Sequence, residues 1–471
     1  MLVGLAGAVL SGCVPNLGIR PQPIALQSLN SEKSLDAPTT PWPEQDWWRG
    51  YGDAQLDALE AEALAGSPDL RVADARSRRA AAAAEQAGAA TLPELGANAH
   101  PELLRQSRNL GYPDFIKDSL PSGIHSQGRL TLDLAFDLDF FGRNRAALAA
   151  ATSEAQAAAI DAAAARLHLS ASVASSYAEL VRLFEDRAAA FDALRVRRET
   201  LDLITQRFSQ GLSNRVDRDQ QATTVPISEG DLAAIDHQIL VARLQIAALL
   251  GAGPDRGLAI GQPAAVVLRA YGIPATIRLD LVGRRPDLVA ARRRVEAAGH
   301  RIDSARAEFY PNVNLTAFAG FQSFGIASLF TNDALIGSAG PAISLPIFSG
   351  GRVEGAYRVT RASYEEAVAT YDRMLADALR DVAGILSGQR SLRDQVDDAQ
   401  RALASATAAD DGTRQRYAAG LATYLDVLTT ETAIINQRRT LADLRGQFLA
   451  LDIDLVRALG GGFADPQLAK N

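Results

Sequence analysis

QGRLTLDLAFDLDF, residues 127–140, alternates apolar and polar side chains without a break. Leu130, Leu132, Leu134, Phe136, Leu138 and Phe140 fall on one face, and Thr131, Asp133, Ala135, Asp137 and Asp139 on the other. Successive side chains of a strand point to opposite faces, so this period of two predicts a long strand with one apolar and one polar side. Three weaker stretches of similar length share the pattern: LGANAHPELL (95–104), PNVNLTAFAGFQS (311–323) and SAGPAISLPIF (338–348). Strands of about ten residues with this alternation have the dimensions of outer-membrane barrel strands. A soluble sandwich competes with that reading, but four strands amid so much helix leave one sheet face unmatched.

After this strand, Arg143 to Gln210 contains neither Gly nor Pro, and one unbroken helix over it is roughly 100 Å long. Val173, Leu180, Leu194, Leu201 and Phe208 recur at multiples of seven, and Tyr177, Phe184 and Phe191 form a second series four residues on. That spacing predicts side-by-side helices packed knobs into holes, with Arg187 and Arg198 interrupting the seam. The second half also lacks Pro between Pro346 and Pro466, although Gly384, Gly388 and Gly412 appear. Each long helix is expected to stop at a Gly-Leu pair, Gly211-Leu212 and Gly420-Leu421, where a return helix begins.

The two halves are copies. Pro68-Asp69-Leu70 recurs as Pro286-Asp287-Leu288, and Pro93 as Pro311, both at an offset of 218. RFSQGLSNRVD (207–217) matches RYAAGLATYLD (416–426), and Leu250-Gly251 matches Leu459-Gly460, both at 209. Two constant offsets separated by one jump of nine residues mark a tandem duplication with a length-tolerant loop between Pro93 and Gly142.

The chain has 471 residues, 47% hydrophobic but 6% aromatic, with a net charge of -7, so no basic surface points to nucleic acid. No uninterrupted apolar run reaches the roughly 18 residues of a transmembrane helix. MLVGLAGAVLSGC (1–13) reads as the apolar core and cleavage site of an export signal without its basic start. Its Leu10-Ser11-Gly12-Cys13 has the form of a bacterial lipobox, and Cys13, the single cysteine, is the expected acylation site. His100, His125, His168, His237 and His300 are scattered, so no metal, cofactor or catalytic constellation is expected. GAGPDRG (251–257) reads as a linker.

Unpaired strand edges inside lipid cost several kcal/mol per group, so a four-stranded chain must borrow strands from its copies. Two copies give a barrel filled by its own side chains, and three leave a lumen, lined here by Asp133, Asp137 and Asp139.

WWRGYGDAQLDALEAEAL (47–64), DFFGRNRA (139–146), LVGRRPDLVAARRRVEAA (281–298), ARAEFYPNVNLTAFAGFQ (305–322), LPIFSGGR (345–352), RYAAGLATYLDVL (416–428) and RALGGGF (457–463) together resemble the TolC-like outer-membrane efflux proteins. The resemblance is to their lipoprotein branch, which serves RND-type pumps. It implies a mainly α-helical homotrimer whose 12-stranded transmembrane β-barrel continues into a long α-helical periplasmic barrel. It also implies that helix 212–250 stacks end to end with helix 57–90. The implied partners are a periplasmic membrane-fusion adaptor, an inner-membrane RND-type transporter and outer-membrane lipid. The implied tip residues are Arg207, Phe208, Gly211, Leu212, Arg416, Tyr417, Gly420, Leu421 and Tyr424. Acidic residues usual in the second tip of such proteins are Ala422 and Thr429 here, with Asp426 between them.

The expected layout is a signal segment (1–12), a lipidated extended strap (13–48), two repeats (49–260 and 261–463) and a tail (464–471). The first repeat holds strands at 94–104 and 127–140 and helices at 57–90, 143–210 and 212–250. The second holds strands at 311–323 and 338–348 and helices at 280–309, 352–419 and 421–459. The leading function is a passive outer-membrane conduit in a tripartite efflux pump. The exit duct of a type I protein secretion system and a non-pore periplasmic coiled-coil scaffold are the alternatives.

Overall fold

The computed structural model describes residues 14–25, 28–105, 107, 111, 113, 115, 119, 123–264 and 272–465. The export signal and Cys13 lie outside them. In chain order the elements are α1 (Ala54–Gly66), α2 (Pro68–Ala89), β1 (Glu94–Leu104), β2 (His125–Asp137), α3 (Arg143–Ser209), α4 (Arg215–Leu249), α5 (Ile277–Arg284), α6 (Pro286–Ala307), β3 (Asn312–Phe324), β4 (Leu335–Ser344), α7 (Arg352–Ala418) and α8 (Tyr424–Ala458). Short helical turns lie at Trp47–Tyr51, Pro254–Leu258, Ile326–Ser328 and Asn332–Ala334. Equivalent helices match in length: α3 and α7 have 67 residues each, and α4 and α8 have 35 each.

Several boundaries depart from expectation. The single helices expected over 57–90 and 280–309 are each two, because Pro68 and Pro286 open new helices. Proline lacks an amide hydrogen to donate and fits a helix only in its first turn. The strand expected to reach residue 140 ends at Asp137, and the one expected over 338–348 covers Leu335–Ser344. The return helices start at Arg215 and Tyr424 rather than at residues 212 and 421, since capping turns occupy the space between. By length and composition α4 is apolar enough to cross a membrane, although polar residues interrupt it. Its apolar residues Ile239, Ala242 and Ile246 instead pack in a core around Trp47.

The chain forms two compact units. The first takes Ser77–Ala158, Ala291–Tyr371 and the N-terminal segment to Pro23. It holds one antiparallel sheet in the order β1-β2-β3-β4. The register sorts the side chains cleanly. Leu130, Leu132 and Leu134 face Ala99, Ala97 and Leu95 on one side and Phe321, Ala319 and Ala317 on the other. Beneath the sheet, the Asn144 side chain donates to the Ala90 carbonyl (3.2 Å) and Ser304 to that of Arg143 (3.0 Å). Arg361, buried, donates to the carbonyl of Ile19 (2.5 Å), and the Tyr364 hydroxyl to that of Pro21 (3.1 Å), which seats part of the extended N-terminal strap.

The second unit takes Ile24–Arg76, Ala159–Ala290 and the chain from Asp372. Its core gathers Trp47, Trp48 and Tyr51 with Leu56, Leu59, Val173, Tyr177, Leu180, Ile246 and Ile453. Asp53 caps α1 by accepting the Gln55 amide (2.8 Å), and it also accepts the Tyr177 hydroxyl (2.6 Å). Of the heptad positions, Val173, Tyr177, Leu180 and Leu194 are buried, whereas Phe191 is 54% exposed in the single chain.

Candidate conduit wall and helical tips

The wall is built in the first unit. One face of its sheet is apolar and bare: Leu95, Leu103, Leu132, Leu335 and Ile343 are each between 55% and 78% exposed. A water-facing surface does not tolerate such a patch without a partner. The opposite face carries Asn98, Thr131, Asp133, Asn314, Thr316 and Gln322. Asp133 accepts hydrogen bonds from the Asn98 amide and the Thr131 hydroxyl, both at 2.9 Å. Arg129 lies over the Phe318 ring, 5.2 Å from its centroid.

Alternation put three aspartates on this polar face, and the structure keeps two. Asp133 lies mid-strand, and Asp137 ends β2, paired with Arg143 at 2.8 Å. Asp139 has left the strand, with a φ of 46° as the chain turns into α3. Its carboxylate accepts the backbone amides of Asn144 (3.1 Å) and Arg145 (2.9 Å). An anion among the free amides of a helix start is stabilising, so Asp139 is a helix cap and not part of the polar wall.

The tips belong to the second unit and are built alike. Gly211 and Gly420 take φ values of 73° and 74°, the left-handed conformation in which glycine avoids a Cβ clash. The Leu212 amide reaches back to the Arg207 carbonyl, and the Leu421 amide to that of Arg416, both at 2.8 Å. Gly211 bonds Phe208 and Gly420 bonds Tyr417 in the same way, both at 3.0 Å. These paired bonds satisfy the last carbonyls of α3 and α7. Leu212 and Leu421 then project outward, 64% and 70% exposed.

The return helices start differently. Asn214 alone caps α4 through the Asp217 amide (2.8 Å). At α8, Thr423 and Asp426 cap each other reciprocally, and these bonds hold the Asp426 carboxyl below the usual range. Asp426 is therefore engaged at the helix start. Thr429 donates to the Leu425 carbonyl one turn back (2.8 Å).

The expected tip residues are brought together across more than 200 residues of chain. The Arg207 guanidinium sits 4.9 Å from the centre of the Tyr417 ring, and Tyr417 meets Tyr424 edge-on at 6.3 Å. Arg218 covers Phe208 at 4.7 Å. Arg416 turns back to the Leu421 carbonyl (3.4 Å) and serves its own turn.

A polar layer lies behind the tips. The Tyr424 hydroxyl donates to Gln221, whose amide donates to the Arg197 carbonyl (2.9 Å). Glu431, buried, lies 3.5 Å from Arg414 and 3.9 Å from Arg197. Burial raises its pKa, against the pull of both guanidiniums. Arg414 also pairs with Asp410 at 2.6 Å. The only trace of this layer in the sequence is a set of charges at helix positions that the heptads leave polar.

A family model described as outer membrane efflux protein matches residues 59–252 and again 280–461, one match per half. The fusaric acid resistance protein FusA of Burkholderia cepacia is 33% identical, over 96% of this chain and 86% of that protein. The probable outer membrane lipoprotein SilC of Salmonella typhimurium is 27% identical over 97% of each chain. The crystal structure of the outer membrane protein VceC from Vibrio cholerae matches with a TM-score of 0.84 at 40% identity, covering 90% of this chain and 100% of that one. With both halves matched and relatives aligned over nearly its whole length, this chain belongs to the outer membrane efflux protein family.

Proposed function

We propose that the protein is the outer-membrane channel component of a tripartite efflux pump, passing small molecules from a periplasmic pump assembly to the exterior. The observation that carries this reading is the sheet. It has a bare apolar face, a polar face, and two outer strands, β1 and β4, that pair with nothing on their far sides among the described residues. Lipid satisfies the first feature and water the second, and further copies of the chain satisfy the third. Three copies supply twelve strands, enough for a lumen. The tips, with Leu212 and Leu421 exposed beside the Arg207–Tyr417 contact, are the surface offered to a membrane-fusion adaptor, behind which stands an RND-type transporter. Cys13 carries the lipid that fixes the strap to the membrane. The resistance function named for the Burkholderia relative favours small-molecule cargo over exported protein.

Conductance of the purified protein in planar bilayers tests the conduit. Steady channels are expected, and a protein that binds bilayers yet passes no current is a scaffold instead. Palmitate labelling tests the anchor: label is expected on the wild type and absent from Cys13→Ser. Label retained in that variant refutes the assignment.

A further inference from the structure

The register inside one chain also specifies how the next copy joins. The centre of β1, Ala99, faces Leu130, one residue from the centre of β2 at Thr131. Thr131 faces Gly320, two residues from the centre of β3 at Phe318. Phe318 faces Ser338, and the centre of β4 lies one to two residues further on, between Ala339 and Gly340. All three slips run in the same sense. A mean slip of about 1.5 residues, at about 3.3 Å per residue and about 4.8 Å between strands, is a tilt near 45°. Transmembrane barrel strands lean by that amount, so a single chain already carries the stagger of a closed barrel.

Two constraints then fix the seam. The apolar face uses odd-numbered residues on both β1 (Leu95, Ala97, Ala99, Leu103) and β4 (Leu335, Ala339, Ile343). An odd residue must therefore meet an odd residue, because a shift of one turns every apolar side chain toward water. The slip must also continue in the sense of the other three steps, since every strand of a barrel leans the same way. Among the allowed registers, one continues it at 1.5 residues. A shift of two in one direction reverses the slip, and in the other more than doubles it.

We infer that β4 pairs antiparallel with β1 of the next copy with Ala342 opposite Asn98, the neighbouring pairs following in step. Gly340 then meets His100, Ser338 meets Glu102 and Ser344 meets Gly96 on the polar face. On the apolar face Gly337 meets Leu103 and Ile343 meets Ala97, so that in both pairs a large side chain lies against a small one, while Leu95 and Leu335 fall one residue past the end of the partner strand. This inference rests on the barrel reading above and adds the register to it.

Paired cysteines in a Cys13→Ser background test the seam. Directly opposite residues have Cβ atoms about 4.5–5.5 Å apart and diagonal ones about 7–8 Å, whereas a disulfide closes near 4 Å. Mild oxidation of the detergent-purified Asn98→Cys/Ala342→Cys protein should give covalent oligomers in severalfold higher yield than Gly96→Cys/Ala342→Cys or His100→Cys/Ala342→Cys. A maximum at either of those neighbouring pairs overturns the register while leaving the barrel standing. No cross-link at any pair, with the protein a monomer in detergent, sinks the barrel itself.

Discussion

The two long hairpins, α3–α4 and α7–α8, have identical helix lengths and the same glycine stops, and both seams mix apolar contacts with ion pairs. They differ over the equivalent stretch between the tips and the core. In the first, charged pairs cross from one helix to the other: Arg187 with Asp236 at 2.5 Å and Arg198 with Glu229 at 2.6 Å. The two arginines that interrupt the heptads thus find partners on the return helix. In the second, Leu392 and Ala399 of α7 pack on Leu441 and Leu444 of α8, with Val396 and Phe448 beside them. Length and stop positions are set by what both hairpins must reach, so a duplicate cannot drift in them. What fills the seam is local and free to diverge.

The stops are the shared feature, and breaking them has the largest expected effect. Gly251 follows α4 at the α1–α2 break, where an added Cβ would lie 2.6 Å from a Pro68 ring carbon. Gly460 follows α8 at the α5–α6 break, where the same atom would lie 1.9 Å from the Arg284 carbonyl oxygen. Both have positive φ, 72° and 91°. Gly460→Ala should lower unfolding stability by about 4 kcal/mol, through backbone strain plus the collision with fixed main chain. Gly251→Ala should cost less, because the nearest main-chain atom to its added Cβ, the Gly66 carbonyl oxygen, lies farther off at 2.9 Å. Denaturant unfolding followed by tryptophan fluorescence measures both, and equal losses would mean that the two breaks are not distinct.

The first half also carries a buried acid. Glu60 on α1 is fully buried with neither carboxylate oxygen hydrogen-bonded, and burial, with Asp57 adding to it, pushes its pKa up to about 9. A carboxyl whose folded pKa exceeds its ordinary 4.5 stabilises the fold fully below that value. The contribution is lost progressively as pH rises toward 9. Glu60→Gln should abolish this decline and gain on the order of 3 kcal/mol at pH 7. Unfolding midpoints across that range check it, and an unchanged slope would assign the dependence to another group.

The seams themselves separate by salt. Leu441→Ala should cost about 2–3 kcal/mol at any ionic strength, as truncation of a buried leucine does. Arg187→Ala removes a partly exposed pair, so its cost should stay below about 1 kcal/mol and vanish in high salt. A large, salt-independent loss at Arg187 would erase the distinction between the hairpins.

Much of this was legible because periodicity survives over long elements. Six alternating positions announced β2, and constant offsets announced the duplication. The errors lie where a pattern runs past the point at which the backbone turns. Leu138, Asp139 and Phe140 keep the strand alternation, yet Asp139 adopts a left-handed conformation to cap α3. Pro68 marks the repeat motif by spacing, but its second role, as the first residue of a new helix, does not show in that spacing. At the tips, Gly-Leu pairs located both turns, while the meeting of Arg207 with Tyr417 depends on tertiary packing that no local spacing encodes. The Gln221–Tyr424 bond and the Glu431–Arg197 pair are illegible in the sequence because a polar residue in a helix reads as a solvated face unless its partner, over 200 residues away, is in view.

Each copy brings two outer strands, β1 and β4, so in the proposed ring every seam is shared by two molecules and every molecule takes part in two seams. An allele damaged at either edge therefore spoils rings that its intact counterpart has also joined. With the two versions made in equal amounts, about one three-membered ring in eight is free of the damaged form. A cell holding both alleles should thus resemble the mutant, making such lesions genetically dominant although they abolish function.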